Sequence, residues 1–360
     1  MKINKKLLIL GLVLTTFLIP TVFPLLADEP VTIRAKVLEI RSEEEIELPG
    51  TQAKVWLQEL KVKVLEGDRK NEEIVIDNDY TRLKVGDTFF LRHIVGQDSE
   101  DYYTVTDVYR LPILYFVIAL FVLAVIVFGG WPGLRGLVAL VGSLLLIFFL
   151  LFPAIVAGYS PIIVSILVAS LIVVVGSYIT HGLNKTTTSA VLGMLAAIFL
   201  TGILAYVSVM TARLTGFGSE EAIYLNLTAG LKIDFIGLLL GGILIGILGV
   251  LYDAAIAQAV AVEELNNVGE NLSRRFVFER ALRMGREHIG ALVNTLAIAY
   301  VGAALPLLLL FYHTAADLGQ SINKEIFAVE IIRTMIGSIG IILAVPLTTL
   351  IAVWLLVKRD

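Results

Sequence analysis

The chain contains no cysteine. That removes disulfide staples and thiolate metal sites together. Histidine is nearly as scarce. His93, His181, His288 and His313 stand far apart, and no two share the helical ligand spacing of a zinc site, so no metal and no zinc enzyme is expected. There is no nucleotide-binding loop, which argues against ATP as a direct energy source, and no cofactor is implied. Charged residues make up only 17% of the chain and the net charge is −4, with nothing to suggest a nucleic-acid partner. Internal repeats and low-complexity linkers are missing as well.

What the chain has is apolar length. Hydrophobic residues make up 57% of it, and the mean hydropathy is +0.86. Runs such as LPILYFVIALFVLAVIVF are long enough to span lipid. The expected fold is a polytopic α-helical membrane protein with a small extracytoplasmic all-β domain, an OB-like barrel or a sandwich. Residues 1–27 pair a basic start with an apolar run and read as a signal-anchor or first transmembrane helix. Residues 28–110 alternate apolar and polar positions, as at Val31, Ile33, Ala35, Val37 and at Leu60, Val62, Val64, which predicts five or six half-buried strands. This stretch holds 19 Asp/Glu against 12 Lys/Arg, so it carries the negative charge of the chain.

Residues 111–360 predict a seven-helix membrane domain, with spans at 111–128, 134–156, 161–179, 188–211, 235–262, 289–311 and 333–357. A cytoplasmic amphipathic segment, 263–288, separates two of them. Its apolar side, Phe276, Phe278, Ala281 and Leu282, suits the lipid interface, and Ser273 can cap its helix. With the N-terminus inside, twelve Lys/Arg fall on the inner side and four (Arg213, Lys232, Lys324, Arg333) in the short outer loops. The positive-inside rule therefore predicts both termini in the cytoplasm and 28–110 outside.

The stretch FIGLLLGGILIGILGVLYDAAIAQAVAVEEL, 235–265, carries the most informative residue. Asp253 sits ~7 Å past the expected middle of its span, well inside a ~30 Å hydrocarbon core. A carboxylate there normally faces a bundle interior or a wet cavity. Gly237/Gly241 and Gly242/Gly246 form two four-residue steps that let neighbouring backbones approach. Asn294 and Thr295 on the next span, and Thr348 and Thr349 on the last, lie at a similar depth on the same side. Gln258 follows near the cytoplasmic mouth. Asp253, Asn294, Thr295, Thr348, Thr349 and Gln258 are thus candidates for proton or ion coupling. The plain alternative is a static polar knot that fixes helix packing. No catalytic residues are expected. An aspartyl protease needs two carboxylates sharing a proton, and no second aspartate lies within a span. Ser338 has no histidine at membrane depth to act as its base.

Residues 235–357 resemble the YibE/F family of bacterial membrane proteins. The matching stretches are GILGVLYDAAIAQA (246–259), GREHIGALVNTLAIAYVGAALPLLLL (285–310) and EIIRTMIGSIGIILAVPLTT (330–349). VGD at 85–87 and HGLNKTTTSA at 181–190 extend the likeness. It implies a multi-pass protein of a bacterial cytoplasmic membrane and carries no assigned activity. The C-terminal half is more faintly similar to the membrane halves of SecD and SecF and to resistance-nodulation-division permeases. In those proteins a membrane aspartate couples proton movement to an outer domain, and Asp253 would occupy that position. The chain lacks a basic residue beside Asn294, which departs from that pattern. The expectation is a proton- or ion-coupled transporter or export-assisting permease. It would sit among membrane lipids as a homodimer or with a related second membrane subunit, on a substrate the sequence does not name. The competing expectation is a non-transporting scaffold that displays the β-domain to an outer partner.

Overall fold

The computed structural model describes residues 32–47, 54–95, 101–228, 233–268, 272–314 and 317–358. The anchor expected at 1–27 lies outside the described residues. The chain divides into two compact units, Met1–Phe121 and Val122–Asp360.

The first unit holds five strands: β1 (Thr32–Glu47), β2 (Lys54–Val64), β3 (Glu73–Asn78), β4 (Thr88–Val95) and β5 (Asp101–Val108). They form one antiparallel half-barrel sheet in the order β3-β2-β1-β4-β5. Alternation selects the inner face. Ala35 and Val37 on β1, Leu60, Val62 and Val64 on β2, and Phe89 and Leu91 on β4 are almost wholly buried. The VGD turn is held from both sides. Gly86, at φ +95°, donates its N–H to the Val37 carbonyl, and Val37 donates to Asp87. The buried side chains of Gln58 and Asn78 bond to each other at 2.9 Å. Gln58 also reaches the Leu83 carbonyl and Glu43, both at 2.8 Å. Each buried amide is thereby satisfied.

From Leu111, still within the first unit, the chain is helical. α1 (Leu111–Leu146) runs on through a π-helical turn (Ile147–Leu151) into α2 (Phe152–Val156). Then come α3 (Pro161–His181), α4 (Lys185–Thr211), α5 (Glu220–Thr228), α6 (Phe235–Gly246), α7 (Leu248–Val268), α8 (Arg274–Ala303), α9 (Leu305–Thr314), α10 (Leu318–Ile322) and α11 (Glu325–Leu356). Among the described residues, five helical segments are long and apolar enough to cross a membrane, or six if the bent α8–α9 pair is one span. The expected spans 111–128 and 134–156 fall on one 46-residue run, broken at Gly130, whose φ of 55° and ψ of −141° are not helical. The expected span 289–311 falls on α8 and α9, which meet at 66°. Pro306, without an N–H, cannot continue the ladder of α8 there.

α4 and α11 pack antiparallel through a paired device. A Cβ on Gly193 would stand 2.1 Å from the Thr348 Oγ1, and one on Gly340 would stand 2.6 Å from the Thr201 Oγ1. Glycine on each helix admits threonine from the other. The segment 274–290 departs from expectation. It is no separate surface helix but the first half of α8. Val277 and Ala281 are fully buried against Val262, Ala352 and Val353. Of the apolar side expected there, Ala281 is buried and Phe278 and Leu282 are half-buried in the bundle, while Phe276 stays exposed.

Candidate functional site

α6 and α7 form one apolar run of 34 residues with a local break at Ile247. Its inner side is set by Leu251, Ala254, Ala255 and Gln258, all buried. At about 100° per residue the outer side must then carry Gly242, Gly246, Gly249, Asp253, Ala257 and Val260. All six are exposed on the chain. Asp253 makes no hydrogen bond or ion pair among the described residues. A Cβ at Gly242 or Gly249 would meet nothing within 4 Å. Asp253 is therefore a carboxylate within a membrane-length helix, in line with open backbone.

The hydrogen bond expected from Asp253 to Asn294 or Thr295 is not formed within the chain. α7 and α8 meet through Ala254 and Val250 against Leu292 and Leu296. Asn294 lies two positions from each of those leucines, so it turns to the opposite face of α8 and is exposed. Thr295 is exposed as well and gives its hydroxyl to the Ala291 carbonyl at 2.9 Å. Thr348 and Thr349 are fully buried. Thr348 rests on Gly193, and Thr349 donates to the Val345 carbonyl at 2.7 Å. Gln258 serves packing within the chain. It is 3% exposed and donates through Nε2 to the Ala281 carbonyl at 2.7 Å, tying α7 to α8. The glycines divide as well. Gly237 and Gly241 lie against Pro161 and Ser165 of α3, Gly246 lies against the Tyr300 hydroxyl, and Gly242 is open.

A second feature was not legible beforehand. A cavity of about 770 Å³ lies between α6, the α8–α9 break, α11 and the loop before α5. Tyr300, Glu330 and Arg333 bring polar groups to it. Arg333 and Glu330 pair at 2.7 Å, one turn apart on α11. The buried Tyr300 hydroxyl and the Arg333 Nε have no partner. The cavity wall is fixed. Glu325 accepts from the N–H groups of Thr215 and Gly216, both at 2.8 Å, and from the Thr215 hydroxyl at 2.8 Å. Gly216, at φ +86°, lies so close to α6 that a Cβ would stand 2.4 Å from the Phe235 carbonyl oxygen. The rings of Phe217 and Phe235 are 4.5 Å apart. Starting the last span at 333 hid this site. α11 begins at Glu325, and the Glu330/Arg333 spacing was the available signal.

The family model described as YibE/F-like protein matches residues 117–358. The chain belongs to the YibE/F family. No curated protein and no solved structure matches it, so the likeness of the C-terminal half to SecD and SecF has no support there. The YibE/F match takes in all of the second unit but its last two residues and leaves the sheet outside. Both features lie within the matched YibE/F region.

Proposed function

We propose that this YibE/F protein is a proton- or ion-coupled membrane transporter or export-assisting permease, with Asp253 as its coupling carboxylate. The supporting observation is the placement of Asp253, unpartnered among the described residues on the outer face of α7 and one turn from the open Gly249. A carboxylate facing hydrocarbon is costly, so in the working protein it meets water, an ion or another helix. Among the described residues nothing pairs with it. A second copy, or a related membrane subunit, seated on the α7 face of Gly249 and Asp253 would enclose the carboxylate and give it a wet path. Asn294 and Thr295, exposed on α8, would offer polar groups to the same assembly. The protein resides in a bacterial cytoplasmic membrane in contact with lipid. Both termini are cytoplasmic and the sheet lies outside, a placement that the excess of Lys/Arg in the inner loops supports.

A scaffold that only displays the sheet needs no carboxylate on α7, and this separates the two readings. In a deletion strain, Asp253→Asn keeps shape but cannot ionise. Loss of complementation by Asp253→Asn, with normal expression, supports coupling. Full complementation by Asp253→Asn with failure of Asp253→Ala would assign Asp253 to packing and end the proposal.

A further inference from the structure

We infer that the cavity between α6, the α8–α9 break and α11 is a binding site for an amphipathic organic cation, a molecule with an apolar body and one positive group. This stands apart from the transport reading, because it needs a site and no coupling step. At about 770 Å³ the cavity has the size of a small-molecule site. Phe235, Leu239, Leu307 and Val329 supply apolar wall. Among the described lining residues the charges do not balance. Arg333 is occupied by Glu330 at 2.7 Å. Glu220 and Glu221 also line the cavity and have no ion-pair partner among the described residues, so the described lining carries two unpaired carboxylates. Tyr300 lines the cavity and adds a ring that can face the charge.

The wall also exists before any ligand arrives. Glu325 holds Thr215 and Gly216, and Gly216 is pressed against the Phe235 carbonyl. Binding then orders little of the protein, which favours affinity. Gly242 lines the cavity and has nothing within 4 Å of its would-be Cβ, so a side chain there enters open space rather than displacing a neighbour.

The test is equilibrium binding of radiolabelled tetraphenylphosphonium to the full-length protein in phosphatidylcholine nanodiscs, corrected with empty nanodiscs. Saturable binding is expected, with tetraphenylborate, the anion of the same shape, bound no better than by empty nanodiscs. The double variant Glu220→Gln/Glu221→Gln should weaken binding by roughly tenfold, and Gly242→Leu should abolish it with an unchanged elution profile. Glu279→Gln, on the first half of α8, should bind as the wild type does. The inference is overturned by equal binding of the anion, by no binding above empty nanodiscs, or by wild-type affinity in both the double variant and Gly242→Leu.

Discussion

Thr348 of α11 rests its hydroxyl where a side chain on Gly193 of α4 would be, at 2.1 Å from the would-be Cβ. The Thr348 Cα itself is only 2.8 Å from that point, so the helix backbones, not a flexible tip, set the limit. Gly340 and Thr201 repeat the arrangement with the helices exchanged. These contacts make α4 and α11 the close-packed spine of the helical unit.

Gly193→Ala should therefore destabilise the protein by about 1–3 kcal/mol despite the better helix propensity of alanine. Gly290→Ala, on α8 with nothing within 4 Å, should not. Thermal unfolding in detergent compares the two, and equal midpoints would remove the spine from the account.

Gln258 gives a second, independent handle on packing. Its Nε2 bond to Ala281 is buried, so Gln258→Leu should cost about 1 kcal/mol. Gln258→Glu should be worse, since it sets a carboxylate against a carbonyl oxygen in a dry contact. The order of the two melting midpoints checks this, with the glutamate variant expected lower.

Glu325 is expected to hold the cavity wall. Glu325→Ala removes the acceptor of two backbone N–H groups and one hydroxyl. Amide hydrogen exchange over 213–219 should speed up while α4 and α7 keep their protection. Unchanged exchange in that loop would mean that the packing of Gly216 alone fixes it.

The sheet should respond to acid. The hydrogen bonds from Arg82 hold the Glu43 carboxyl below its ordinary range, aided by Gln58, and Arg34 does the same for Glu66. A depressed carboxyl contributes stability that is present above its unfolded pKa and lost as pH falls through the folded value. Exchange of β1 and β2 amides should rise as pH drops through that window, once the intrinsic pH effect is removed. Glu43→Gln should flatten the response. The Arg82 guanidinium also stacks over Trp56 at 4.0 Å, so Trp56 emission offers a second probe of the same contact.

Much of the architecture was legible because composition and period report it directly. A run such as 235–262 has no polar residue until Asp253, and Leu60-Val62-Val64 alternates with polar neighbours on β2. The polar layer was not legible, for a geometric reason. Rise per residue gives only an expected depth, and on that reckoning alone Asn294 is level with Asp253. Which way a side chain faces is set by packing, and Leu292 with Leu296 claims the inward side of α8, sending Asn294 outward. The cavity escaped for another reason. Tyr300, Glu330 and Glu220 are brought together from three elements far apart in the chain, and no local pattern encodes that.

As the proposed coupling carboxylate, Asp253 takes part in moving a proton or ion across the membrane. The most direct measurement is the decay of an imposed proton or sodium gradient in sealed membrane vesicles, followed with an internal indicator. Vesicles carrying the wild type should dissipate one of these gradients faster than vesicles carrying equal amounts of Asp253→Asn, which should match vesicles without the protein. Equal decay for the wild type and Asp253→Asn would contradict the account.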